Sequence, residues 1–269
     1  MRRLRNRERG FSLVELMVAT AIFMVVCAAM FGLLQVSQQK YAIESQLSGS
    51  FQEARLGMDQ IVRDINISGY PTASLLSNTT NAANFAASPF AWDPGYLSST
   101  DCQIGGTPLC NPTPGAYDLI IETNPYPNNA TSSVSWIRYQ LIGTTLYRGV
   151  VAKTAGSDPV TATSASGVMT PLVNNIVNYA TGTLLTQITT DYPSMFPGGV
   201  QPALFVYTCT TPSGPQPCTT AGIYSAPRYI SDVDITLIVK TPYQDMQTEA
   251  VKLIELTGRG HRTNSVINW

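Results

Sequence analysis

Residues Arg9-Gly10-Phe11-Ser12-Leu13-Val14-Glu15-Leu16 place a carboxylate near the start of an apolar run, directly behind a basic decapeptide that ends in glycine. From Phe11 to Leu34 only Ser12, Glu15 and Thr20 are clearly polar. A carboxylate in an apolar helix costs roughly 2.5–3.5 kcal/mol on insertion scales, so Glu15 calls for a partner. Taken alone it admits two readings. It is a paired charge, or it is a Glu near a membrane-helix end that is hydrated or protonated.

Other residues able to do chemistry are few. Of five cysteines, Cys27 lies inside the apolar run, where a free thiol behaves as a small hydrophobe. Cys102/Cys110 and Cys209/Cys218 form two close pairs around Pro- and Gly-containing loops. They read as local disulfides made in an oxidising compartment. A four-Cys zinc site is the rival, without the usual CxxC spacing and with the single histidine, His261, distant in sequence. His261 sits between Arg259 and Arg262 in a polar tail and reads as solvated. Asp232 and Asp234 fall on the polar side of an alternating strand, and no loop spacing supports a calcium site there. Asp64 reads as part of a polar helix face. Trp92, Trp136 and Trp269 read as core or edge aromatics. No nucleophile elbow occurs and one histidine leaves little for a triad, so no catalytic residue and no cofactor is expected.

Charge is unevenly spread. The chain has a net charge of −1, yet five arginines crowd the first ten residues against Glu8 alone, and the rest holds 11 basic and 16 acidic residues. Nothing in that remainder clusters basic residues as nucleic-acid binding requires, and no nucleic-acid partner is expected. The basic decapeptide is a topogenic signal. By the positive-inside rule the N-terminus is cytoplasmic and the body is exported, in agreement with paired cysteines. Residues 11–34, as a helix, reach ~36 Å and cover a hydrocarbon core of ~30 Å. That run is too long for the ~7–15-residue apolar region of a cleaved signal peptide, although Ala28-Ala29 offers a weak small-residue site. Cys27 fits a lipoprotein site poorly, because Val25 and Val26 precede it.

The helix continues beyond the membrane. Leu47, Phe51, Ala54, Met58, Ile61 and Ile65 recur at helical spacing, with Gly49 and Gly57 weakening it slightly and Gly69-Pro71 ending it. Residues 11–70 are one helix on this reading. Residues 71–269 form a β-rich body, with loops at 72–116, 152–171 and 180–228. Strands are expected at Tyr117–Thr123, Val134–Ile142, Thr145–Val151, Val173–Tyr179, Ala203–Cys209, Ile230–Lys240 and Glu249–Leu256, and Gly143-Thr144 closes a hairpin. The fold class is α+β, a long N-terminal helix packed on a mostly antiparallel sheet.

The basic leader, Gly10, Phe11, Glu15 and the long helix together resemble the cleavage and methylation motif of type IV pilins and type II secretion pseudopilins. The resemblance implies that a membrane aspartic prepilin peptidase cuts between Gly10 and Phe11 and N-methylates the new Phe11 amine. Glycine at the cut suits an enzyme that must approach the backbone. It implies that Glu15 meets the Phe11 amine of a neighbouring subunit, neutralising both charges as the subunit leaves the bilayer for a filament. The stretch from Ala54 to Ile65, with Gly69-Tyr70, resembles the helix end of PilW-type minor pilins and, more loosely, of GspJ-type pseudopilins; the tail Gly260–Asn264 is compatible with both. The length of the chain also leans towards a minor pilin or a pseudopilin. The implied function is a minor pilin that primes or caps assembly, with a secretion pseudopilin or a filament-borne adhesin as alternatives. Its implied partners are prepilin peptidase, other pilin or pseudopilin subunits, an inner-membrane assembly platform and the lipid bilayer. Its place is the bacterial inner membrane as a single-pass protein, and then the filament.

Overall fold

The computed structural model describes residues 11–72, 75, 81–92, 101–126, 133–244 and 250–264. By contacts the chain divides into two units, Met1–Gln46 and Leu47–Trp269. One helix, α1 (Leu13–Asn66), has residues in both. In the first unit none of its apolar stretch is buried, and it is long and apolar enough to cross a membrane. Phe11, Phe23 and Leu33 are among the large apolar side chains left bare.

In the second unit α1 becomes one-sided. Ser50, Ala54, Gly57, Met58, Ile61, Asp64 and Ile65 are buried. Phe51, on the apolar stripe expected to be covered, stays 39% exposed. Glu53 Oε1 ties the helix to the body by accepting from the backbone and side-chain nitrogens of Asn174. Gly57 is more than a weak helix former, because a Cβ there would overlap Val173. The last turn is tied to the end of the chain. Asn66 O accepts from Thr263 N–H and Oγ1–H, and Asn66 Oδ1 accepts from His261 N–H at 2.9 Å. These bonds satisfy acceptors at the helix end that have no partner within the helix.

The body is two antiparallel sheets. One runs β1 (Phe90–Ala91), β2 (Asp118–Thr123), β3 (Ser135–Ile142), β4 (Thr145–Ala152) and β5 (Met169–Val173), in that spatial order. The other is made of β6 (Phe205–Thr211), β7 (Gly214–Pro217), β8 (Ile230–Lys240) and β9 (Leu253–His261), ordered β7-β6-β8-β9. In the β3–β4 hairpin Ile142 pairs with Thr145 and Gly143 takes φ 61°, a turn geometry that glycine adopts without strain. Leu119, Ile121, Ile137 and Tyr139 from the first sheet share one core with Phe205, Tyr207, Val233, Ile235 and Leu237 from the second, and Ala54, Met58, Ile61 and Ile65 of α1 complete it. The α+β layout expected from the sequence is the layout observed.

Several local expectations are corrected. Residues 180–228 hold, besides β6 where a strand was expected at 203–209, the unexpected α3 (Gly182–Asp191) and β7. Helix α3 presents Leu184, Leu185 and Ile188 to a second apolar cluster with Phe196, Ile238 and Leu253, a short stripe hidden among threonines. Residues 152–171 contain α2 (Pro159–Thr163), capped by Asp158 accepting from Thr161 N–H at 2.7 Å, and the start of β5. The strand expected at 173–179 ends at Val173; beyond it Ile176 makes one bridge to Val239 and Asn178 Oδ1 accepts from Ile238 N–H. Residues 72–116 contain the two-residue β1. The last strand, expected at 249–256, runs Leu253–His261, with residue 249 outside the described residues. Its glycines explain the displacement: a Cβ on Gly258 would lie 2.6 Å from Met58 Sδ, and one on Gly260 2.6 Å from Ile65 Cγ2. Small residues at those points let α1 pack closely on β9.

Candidate functional site

Gly10 lies outside the described residues, so the site begins at Phe11. That residue is 86% exposed. Ser12 precedes the first helical residue, and its backbone N–H donates to Glu15 Oε2 at 3.0 Å. This is half of a capping box, the arrangement that Ser-x-x-Glu favours at a helix start. The signal Ser12-x-x-Glu15 stands in the sequence and was missed there as a cap. Glu15 therefore has a local role beside any intersubunit one: it satisfies one of the unpaired first-turn donors and faces the positive end of the helix dipole. Further along, Thr20 Oγ1 donates to Met17 O at 2.9 Å, which covers its hydroxyl within the helix. Cys27 is a half-exposed free thiol.

The helix is fixed to the body by a charge that the sequence reading assigned to a solvated face. Asp64 is buried. Its Oδ2 accepts from Tyr139 Oη at 2.5 Å, Arg148 Nη2 at 2.8 Å and Arg148 Nε at 3.0 Å, and its Oδ1 accepts from Gln60 Nε2 at 2.9 Å. Burial, reinforced by the Asp64 charge, pushes the Tyr139 hydroxyl well above its ordinary pKa. Burial works against the Arg148 charge, but Tyr139 and Asp64 outweigh it and hold the guanidinium above its usual value. Only partners from β3 and β4, which are distant in sequence, reveal this role. The apolar steps around Asp64 were visible, yet nothing local marked the carboxylate as inward-facing.

A family model described as the prokaryotic N-terminal methylation motif matches residues 5–31. The chain carries a prepilin-type methylation motif. That match supports a type IV pilin- or pseudopilin-like protein, processed by prepilin peptidase and assembled with other pilins. With the apolar first part of α1 it fits a membrane-anchored pilin. No curated protein and no solved structure is significantly similar to the chain. The match covers the front of this pilin-like chain, and the body must be read from its own geometry.

In the body the cysteines pair as Cys102–Cys110 and Cys209–Cys218. The loop closed by Cys102–Cys110 meets the segment that follows Cys218, since Ile104 N–H donates to Ser225 O at 3.0 Å and a Cβ on Gly105 would touch Thr219. No group of three or more potential metal ligands occurs among the described residues. Asp232 is not a solvated strand residue. Its carboxylate accepts from Ser231 Oγ at 2.7 Å and Arg259 Nε at 3.2 Å and lies 2.9 Å from His261 Nδ1. Burial raises the cost of that charge, but Ser231, His261 and Arg259 together bring the Asp232 pKa below its ordinary value. Arg259 also approaches Asp234 at 3.5 Å, so the pair is bridged by a protein cation. His261 is solvent-exposed but engaged. Two further buried ion pairs went unnoticed in the sequence, Arg138–Asp118 and Lys153–Glu122. Burial raises both carboxyl pKa values, against the pull of their partners. Trp92 and Trp136 are in the core, and Trp269 lies outside the described residues.

Proposed function

We propose that this chain is a minor type IV pilin. Prepilin peptidase cuts it between Gly10 and Phe11 and methylates the Phe11 amine, and the subunit then joins other pilins to prime or cap a filament. The observation that carries this reading is the methylation-motif match over residues 5–31 on a chain with Gly10, Phe11 and Glu15 in register. The apolar half of α1 supports it, since that half is bare and needs lipid or neighbouring helices. Glu15 then serves twice. It caps its own helix in the single subunit, and in the filament it pairs with the Phe11 amine of a neighbour. A type II secretion pseudopilin is the second reading, since the same motif serves both.

The test is the N-terminal sequence and intact mass of the mature protein, with Gly10→Val as control. The expected product begins at N-methyl-Phe11, and the variant keeps all ten leader residues. A mature chain starting near Met30 refutes the proposal.

A further inference from the structure

Four strands edge the two sheets, β1 and β5 on the first and β7 and β9 on the second. Three of them are blunted against a further strand. β1 has only two residues, β5 carries Pro171, and β7 carries Pro215 and Pro217. Brevity and proline are two of the devices by which sheet edges avoid pairing with other chains. β9 uses neither, running nine residues without a proline.

The register with β8 fixes which way the backbone of β9 faces. Thr236 lies opposite Thr257 and Ile238 opposite Glu255. Yet Thr236 N–H donates to Leu204 O at 3.0 Å, and Ile238 N–H to Asn178 Oδ1 at 2.9 Å, both away from β9. Directly opposed residues of an antiparallel pair exchange both of their bonds or neither. Glu255, Thr257 and Arg259 therefore turn N–H and C=O to the outer edge, the side on which His261 N–H meets Asn66 Oδ1. These groups have no other partner among the described residues, and all three residues stand exposed to solvent.

That open edge is also patterned. Glu255 and Arg259 flank Thr257 at two positions on either side, so the three share one face of the strand. On the other face Ile254 and Leu256 are only partly buried against the core. Charges of one sign along an edge repel strands of that sign, whereas opposite charges in a fixed order select a complementary order.

We propose that the outer edge of β9 docks an extended segment of a different protein chain as an added antiparallel strand. The segment sets an acidic residue opposite Arg259, a basic residue opposite Glu255, and apolar residues beside Ile254 and Leu256. Main-chain bonds to Glu255, Thr257 and Arg259 supply the binding, and the charge order supplies the selectivity. The incoming acid extends the row in which Asp234 already faces Arg259 from β8.

The test uses the full chain in detergent micelles at low salt, with anisotropy of the fluorescein-labelled peptide Thr-Val-Glu-Val-Thr-Val-Arg-Val-Thr. This peptide should bind, and a version with Glu and Arg exchanged should bind about tenfold more weakly. N-methylation of the central Thr and the Arg, whose amides face β9, should abolish binding. N-methylation of the two Val residues beside the central Thr should not. Thr257→Pro should keep the wild-type melting temperature, because the Thr257 N–H is not bonded to β8, and should lose the peptide. Glu255→Lys, a change at an exposed side chain, should weaken it about threefold. The proposal is overturned if the wild type does not bind the peptide, if both methylated peptides bind alike, or if Thr257→Pro binds as wild type does. Dimerisation of the wild type that is lost in Thr257→Pro would assign the edge to a second copy and overturn it too.

Discussion

Replacing Asp64 by alanine removes the carboxylate that binds α1 to the first sheet. Three bonds go at once to Oδ2, two of them from a guanidinium, and Tyr139 Oη loses its acceptor in a fully buried position. Removing one member of a buried pair costs about 3–5 kcal/mol. The Arg148 side chain is 24% exposed and can turn its stranded charge to water, which places the expected loss at the lower end, near 3 kcal/mol. For a body of this size each kcal/mol moves the midpoint by roughly 2–4 °C, so Asp64→Ala should melt about 6–12 °C below wild type. Asp64→Asn keeps the shape and loses the charge, and should cost about half as much. Urea melts of the full chain in micelles, arranged as a cycle with Arg148→Met, measure the coupling directly. A coupling below about 0.5 kcal/mol, or an Asp64→Ala loss no larger than that of an exposed residue such as Asp59→Ala, would show that the cluster is not what secures the helix.

Asp232 should make stability depend on acid. Its folded pKa is below the unfolded value of about 3.9, so its contribution is complete above that value and disappears as pH falls through the folded pKa. Asp232→Asn should therefore lag wild type at pH 6 and approach it below pH 3 in urea titrations. Lys153→Met strands Glu122 in a dry site and should cost about 3–5 kcal/mol by thermal melting. Adding Glu122→Gln to it should recover most of that loss; no recovery would mean the cost lies in packing. Glu15→Gln should leave the body's melting temperature unchanged, since its local loss is at most about 1 kcal/mol at the helix start. It should still be cut after Gly10, yet enter sheared filaments poorly, as immunoblots of the filament fraction would report.

What could be read without coordinates follows the range of the interactions involved. The helix, the β3–β4 hairpin and β8 rest on short-range periodicity, so Ile61 and Ile65, Gly143, and Val233 to Val239 marked themselves. Helix α3 was hidden because its stripe is only Leu184, Leu185 and Ile188 among threonines. Strand β9 was displaced because Gly258 and Gly260 look like strand breakers until Met58 and Ile65 are seen against them. The charges deceived most. Asp64 and Asp232 read as polar-face residues and Asp118 and Glu122 went unnoticed, since each is neutralised by a partner 20 to 84 positions away. At the front, Gly10, Phe11 and Glu15 were visible because the processing signal is linear, and the cap at Ser12 lay in the same eight residues.

The bonds between Asn66 and the segment His261–Thr263 join positions 195 and 197 apart. A chain made from its N-terminus completes α1 long before β9 exists. The face bearing Met58 and Ile65 must then wait for Gly258 and Gly260, and loop closure over such a distance is slow. A membrane segment that holds the first part of α1 meanwhile keeps one end of the contact fixed in place. Truncation after Gly260 would leave most of β9 in place but remove His261 and Thr263, the partners that close the end of the helix.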